Sequence, residues 1–231
     1  MSRFLDDSAA SRPAPLLKAL ATHDAPPAAP DRAALDAHLA RFQYGRFTLT
    51  EAVRPGWRLD IVPQAGYRHD SYLDPATGSR LPALVAAVSA ERLFETFVRL
   101  LEPLGDTLDV VLESTHDGRQ GRIEHRREGI ERLVLESVLW EFEDLLLHDG
   151  CTAIAVMHAD LPLEVQFDEH KLLVIYAQAR QPFERILRDE GLTRDDRLRF
   201  ISQGEHMHAS SGRHARRFDE LAGRLNASEP G

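Results

Sequence analysis

Two histidines in the C-terminal part of the chain have the spacing of metal ligands. His206 and His208 are separated by one residue, so in an extended segment both imidazoles point to the same side. Neutral imidazole binds zinc, iron or copper, and a carboxylate such as that of Glu205 completes such a coordination shell. The pattern predicts a divalent transition metal held by Glu205, His206 and His208. The alternative is a pair of exposed or hydrogen-bonded imidazoles, because this spacing arises by chance in a chain with 11 histidines.

Two histidine–aspartate pairs are suited to general acid–base catalysis. They are His116 with Asp117, and His158 with Asp160. An imidazole titrates near neutral pH, and a neighbouring carboxylate fixes its tautomer. These four residues are therefore the predicted catalytic set. The alternative is that both pairs lie in loops where aspartate forms turns and caps.

Motifs of the common nucleotide and acyl-transfer enzymes do not occur in the sequence. It contains no Gly-x-Ser-x-Gly nucleophile motif, no glycine-rich phosphate loop and no dinucleotide-binding fingerprint. Nucleotide hydrolysis and nicotinamide chemistry therefore lack support. Cys151 opens a predicted buried strand, which is typical of a small core residue rather than a nucleophile.

The elements that must position these residues follow from hydrophobic periodicity. Apolar runs predict strands over 84–88, 107–114 and 151–157, and helical spacing predicts helices over 89–104 and 128–147. Two successive strand–helix–strand units imply parallel strands joined by right-handed crossovers. The sequence thus predicts an α/β (or α+β) fold, whose mixed sheet has a parallel three-strand centre from two βαβ units plus antiparallel strands, with helices packed on it.

This topology predicts one crevice for the chemistry. Parallel strands end at the same edge of a sheet, where ligands of open α/β sheets bind. His116 and His158 each follow one of these strands, and a short strand over 198–202 is expected to deliver His206 and His208 to the same edge. Cys151 and the turn at Asp168–His170 are expected at the opposite edge.

Composition predicts one folded domain with flexible ends. The first 30 residues are rich in proline and alanine, which predicts a disordered tail over 1–30. Residues 31–226 are expected to form a single α/β domain, and residues 227–231 a frayed C-terminus. Hydrophobic residues make up 43% of the 231-residue chain, enough for a substantial core.

The charge balance bears on partners and compartment. The net charge of −9 disfavours nucleic-acid binding, and no apolar run approaches the roughly 18 residues of a membrane helix. The N-terminus lacks the pattern of a signal peptide, and a single cysteine forms no internal disulfide. We therefore expect a soluble, acidic, cytoplasmic protein that engages neither nucleic acid nor membrane.

Two functions of different classes are consistent with the sequence. The favoured hypothesis is a non-catalytic interaction or regulatory module with an unknown protein partner, because no specific catalytic motif is present. The alternative is a small-molecule enzyme or metal-binding protein that uses the His/Asp/Glu cluster at the predicted edge.

Overall fold

The computed structural model describes residues 31–73, 78–116 and 121–229. The chain divides after Arg41 into two units, residues 1–41 and 42–231. In the first unit, α1 (Arg32–Leu39) begins after Asp31, whose carboxylate accepts a hydrogen bond from the Ala34 N–H. This side-chain cap is the one that the sequence pattern favours at a helix start. The predicted tail over 1–30 lies outside the described residues.

An antiparallel sheet of seven strands organises the second unit. The strands within the described ranges are β1 (Gln43–Tyr44), β2 (Phe47–Thr48), β3 (Val53–Pro55), β4 (Gly66–Leu73), β5 (Arg80–Ala87), β6 (Thr107–Ser114), β7 (Ile123–Glu131), β8 (Thr152–His158), β9 (Glu164–Phe167), β10 (Leu172–Tyr176) and β11 (His206–His208). The main sheet has the order β4-β5-β10-β9-β8-β6-β7, and every neighbouring pair is antiparallel. Two smaller ribbons pair β1 with β2 and β3 with β11.

The predicted parallel three-strand centre is wrong, and β7 is the reason. Residues 123–127, expected to be loop, and residues 128–131, expected to begin a helix, form a strand that pairs antiparallel with β6. The chain therefore crosses the sheet once more before its next helices, and β8 runs antiparallel to β6. β5 and β6 do point the same way, but β10, β9 and β8 lie between them. The fold is α+β.

Five helices of this unit lie within the described ranges: α2 (Ala90–Leu101), α3 (Arg132–Glu141), α4 (Glu143–His148), α5 (Gln181–Asp189) and α6 (Gly212–Leu225). Their apolar side chains form one core with alternate residues of the strands, such as Leu108, Val110 and Leu112 of β6. In that core, the rings of Phe97 and Phe167 meet edge to face with centroids 5.2 Å apart. Helices thus pack on one face of the sheet, while the alternate residues of each strand point to the other face.

A smaller apolar cluster covers one end of that other face. Phe47, Leu198 and Phe200 pack there against Ala87 of β5 and Leu172 of β10. The cluster brings the segments that flank β3 and β11 to the edge of the sheet where β10 begins. Within the described part of the chain, no helix has both the length and the apolar character that crossing a bilayer requires.

Candidate metal centre

The two predicted catalytic histidines lie at opposite edges of the sheet. Ser114, at the end of β6, pairs with Thr152 at the start of β8, whereas Leu108 pairs with His158 at its end. His116 and His158 are therefore separated by about the length of a seven-residue strand, roughly 20 Å. The expected convergence of their loops is wrong, because it depended on parallel strands.

His158 has a local role at its own edge. Its Nδ1 accepts hydrogen bonds from the N–H groups of Asp160, at 2.9 Å, and Leu161, at 3.1 Å. This is the turn geometry of the alternative interpretation for this histidine–aspartate pair. Asp117, the partner predicted for His116, lies outside the described residues.

Three imidazoles come together at the opposite edge. His170 lies in the turn between β9 and β10, and His206 and His208 lie on β11. Each of the three offers a potential metal-binding atom, and these atoms all lie within 4.8 Å of one another. The ring centroids are 4.8 to 5.1 Å apart. His206 and His208 share one side of β11 because side chains two residues apart in a strand point the same way.

Hydrogen bonds hold each ring by its Nδ1 atom. This atom lies 3.1 Å from Asp168 Oδ2 in His170, 2.8 Å from the Gly204 carbonyl oxygen in His206 and 2.6 Å from the Gly150 carbonyl oxygen in His208. Because these oxygens accept, a neutral ring carries its proton on Nδ1 and keeps the lone pair on Nε2. Metal-binding histidines in proteins are commonly oriented in this way by carboxylates and backbone carbonyls.

The turn that carries His170 is fixed by Asp168. Asp168 Oδ1 accepts from the Leu172 N–H at 2.8 Å, which leaves Oδ2 for the imidazole. Lys171 has a left-handed backbone with φ of 64°. Its buried ammonium donates to the Thr152 carbonyl oxygen at 3.0 Å, and this contact ties the turn to β8.

The environment shifts the proton affinities of this region. His208 is exposed at one side, but partial burial of its ring lowers its pKa, and the neighbouring imidazoles of His170 and His206 lower it further, so that this ring is neutral at pH 7. Burial is the largest single influence on His170 and opposes its charged form, but the hydrogen bond to Asp168 and the negative charges of Asp168 and Glu169 together raise the pKa of that ring. Burial lowers the pKa of Lys171 to about 8.

Gly150 places the carbonyl group that orients His208. Its N–H donates to the Ala209 carbonyl oxygen at 2.8 Å, and the Ala209 N–H donates to the Ala52 carbonyl oxygen, also at 2.8 Å. A Cβ at position 150 would lie 2.4 Å from the Ala52 oxygen, so a side chain does not fit there. The segment before β8 therefore lies in close contact with the backbone at Ala52 and Ala209.

Glu205, the third predicted metal ligand, is not part of the three-imidazole group. Its backbone oxygen accepts from the Gly56 N–H, and a Cβ on Gly56 would lie 2.7 Å from the Glu205 side chain. The sequence pattern does not predict His170 at this site, because a β8 that ran parallel to β6 would place the turn of His170 at the opposite ends of the strands. The signal that predicts it is its position in a short turn between an alternating strand, β9, and an apolar strand, β10.

A cleft of about 290 Å³ lies on the sheet face away from the helices and reaches this turn. Asp168 forms part of its wall, together with Arg68 and Asp70 of β4 and Tyr176 of β10. A small polar molecule fits a space of this size. Comparison of the chain with protein-family models, with curated proteins and with solved structures gives no significant match.

Proposed function

We propose that this protein binds a divalent transition metal of the zinc class through the Nε2 atoms of His170, His206 and His208. The observation that carries the proposal is the group of three imidazoles, each held through Nδ1 by an oxygen acceptor. Three neutral imidazoles in one place are a common ligand set for zinc, copper and iron. Hydrogen bonding on the far side of each ring is the second feature that such ligands share.

The distances are compatible with a tetrahedral ion. Nitrogen ligands bind zinc at about 2.1 Å, which places two tetrahedral ligands about 3.4 Å apart. The atoms of the cluster lie within 4.8 Å of one another. Closing the shell therefore requires each pair to approach by no more than about 1.4 Å, which small rotations of the imidazoles supply.

The surroundings favour a centre that is open on one side. His208 is exposed and His170 and His206 are half-buried, so solvent reaches the site. Three protein ligands and one exchangeable position are the arrangement of catalytic zinc, which activates a bound water for attack on an electrophile. The cleft for a small molecule is connected to this centre through Asp168, which lines the cleft and holds the His170 ring. These features support a metal-dependent hydrolytic activity on a small polar substrate.

Metal binding by the full chain tests the proposal. After removal of metal with a chelator, zinc titrated into the protein is expected to bind at His170, His206 and His208. Substitution of any one of them by alanine is expected to weaken binding at this centre by 10-fold or more, because a shell with two imidazoles is incomplete. His158→Ala is the matched control, since it removes an imidazole from the opposite edge of the sheet.

Unchanged zinc affinity in all three single variants contradicts the proposal. So does a loss of affinity in His158→Ala equal to that in His208→Ala. Circular dichroism of each variant separates loss of the ligand from loss of the fold.

A second candidate function, the interaction module, is favoured by one surface. Leu133, Val134 and Trp140 of α3 are 69%, 50% and 49% exposed. Apolar groups clustered on one helix commonly mark a protein contact. A second copy of this chain is the simplest occupant, because two-fold homodimers are the commonest soluble oligomers. Sedimentation of the wild type as a dimer, and of Leu133→Lys as a monomer, supports this candidate; a wild-type monomer at high concentration contradicts it.

A further inference from the structure

A second group of potential metal ligands lies beside the three-imidazole centre. It consists of His116, Asp149 and Cys151, whose ligand atoms all lie within 4.8 Å of one another. His116 Nε2 is 2.9 Å from Asp149 Oδ2. The side chains are more enclosed than those of the first centre, since Asp149 is fully buried and His116 and Cys151 are half-buried.

Three separate elements position these side chains. His116 follows β6, and Asp149 and Cys151 follow α4 and precede β8. A fourth residue, His214, comes from the first turn of α6, and its Nδ1 lies 3.6 Å from Asp149 Oδ1. The side chains thus join the last helix of the described chain to two adjacent strands of the sheet.

The potential ligand atoms themselves lack hydrogen bonds. Among the described residues, His116 Nε2, Asp149 Oδ1 and His214 Nδ1 are buried polar atoms without a hydrogen-bond partner. A buried polar atom without a hydrogen bond destabilises the folded state unless a charge or an ion compensates it. His116 Nε2 and His214 Nδ1 lie on the two oxygens of the Asp149 carboxylate, at 2.9 Å and 3.6 Å, an arrangement in which a bound cation would satisfy all three atoms.

The outer atoms of the same side chains are satisfied, as they are in metal sites. His116 Nδ1 lies 2.6 Å from Ser114 Oγ, which fixes the ring with Nε2 towards Asp149. Asp149 Oδ2, which faces His116 Nε2, accepts from the Thr152 hydroxyl, and this leaves Oδ1 as the carboxylate oxygen available to a metal. Hydrogen bonds of this kind orient ligands from behind and leave their inner atoms for the metal.

We propose that His116, Asp149, Cys151 and His214 form a second, closed zinc site that fastens α6 to the sheet. The three grouped residues supply one imidazole, one carboxylate and one thiolate. His214, which contacts Asp149, adds a second imidazole after a movement of its ring, and this completes a tetrahedral shell without a position for substrate. Its ligands are distinct from those of the three-imidazole centre, so an experiment can refute one site without refuting the other. The Asp149–Cys151 segment links them, because the carbonyl of Gly150 orients His208.

An ion pair between Asp149 and the two histidines is the competing explanation of this cluster. It accounts for the carboxylate and the imidazoles, but it gives no role to the Cys151 sulfur. The thiol therefore distinguishes the two explanations, since only a metal site requires a thiolate.

Cobalt(II) substitution of the full chain tests the proposal. A thiolate ligand gives cobalt a near-ultraviolet charge-transfer band, whereas a centre of three imidazoles does not. We expect this band in the wild type and in His170→Ala, which alters only the first centre. Cys151→Ser is expected to lose the band and one equivalent of bound metal, and His214→Ala is expected to bind the second equivalent at least 10-fold more weakly.

A second measurement leaves every ligand of the closed site unaltered, so that a variant that fails to fold cannot mimic its result. Zinc is expected to slow alkylation of Cys151 at least 10-fold in the wild type and in His170→Ala alike, because a coordinated thiolate is a poor nucleophile. An absent charge-transfer band, or alkylation at the same rate with and without zinc, overturns the closed site. Protection that disappears in His170→Ala overturns it as well, because the metal is then held by the first centre alone.

Discussion

Replacing Gly150 by alanine perturbs the first metal centre without altering any ligand. The added Cβ would lie 2.4 Å from the Ala52 carbonyl oxygen and 2.9 Å from that of Ala209. Contacts between carbon and oxygen are normally well above 3 Å, so the backbone at position 150 must shift by about 1 Å. The Gly150 carbonyl that accepts from His208 moves with it.

The size of the effect follows from these two contacts. Overpacking against backbone costs about 1–3 kcal/mol in the free energy of unfolding. Loss of an outer hydrogen bond to a metal ligand typically weakens metal binding 10- to 100-fold. Gly150→Ala is therefore expected to show both effects at once, although position 150 donates no ligand atom.

Urea unfolding and competition for zinc with a chromophoric chelator measure the two quantities. Gly223→Ala is the matched control, because a Cβ at that position in α6 has no neighbour within 4 Å. It is expected to stabilise the helix by about 0.5–1 kcal/mol and to leave zinc affinity unchanged. Wild-type zinc affinity in Gly150→Ala would refute the role of the carbonyl, and wild-type stability would refute the packing argument.

Three further substitutions test the physical reading of the fold. Burial raises the pKa of Glu164 from 4.5 to about 7, so this group favours the folded state below pH 4.5 and destabilises it increasingly as the pH rises to 7. Glu164→Gln should remove this pH dependence and add about 3 kcal/mol to the unfolding free energy above pH 7. The exposed Glu95→Gln is the control, and an unchanged pH dependence in Glu164→Gln would refute the argument. Glu190 is buried and forms ion pairs with Arg92 and Arg99, which are partly exposed, so Glu190→Gln should cost about 2 kcal/mol in urea unfolding, and a cost near zero would show that solvent screens these pairs. Ser211 caps α6 by accepting from the His214 N–H at 3.3 Å, so Ser211→Ala should lower the unfolding free energy by about 1 kcal/mol, and unchanged stability would refute the cap.

The interior strands were predictable from sequence, whereas the edge strands were not. β6 spans Thr107–Ser114, as its apolar pattern predicts, because its residues are buried on both faces. β4 and β7 lie at the two ends of the sheet and carry charged residues such as Arg68 and Arg127 where a pattern search expects apolar ones. Charged edge strands resist pairing with other chains, and the same charges conceal them from hydrophobic periodicity.

The candidate site was predictable only as far as local spacing extends. The arrangement of His206 and His208 on one side of a strand follows from two-residue periodicity. His170 and Asp149 required the direction of β8, and that direction depends on the unrecognised β7. Missing the outermost strand β7 therefore reverses the predicted direction of β8. That reversal places half of the predicted site at the wrong ends of the strands.

The pairing of β3 with β11 determines when the first centre can form. Val53 pairs with His208, some 150 residues later in the chain. Contacts between such distant segments form late in folding, because a long loop must be closed first. In a chain still being synthesised, His170 therefore cannot meet His206 and His208 until synthesis has passed position 208. We expect a truncated or partly folded chain to be unable to capture the ion, so that metal is acquired only by the finished protein.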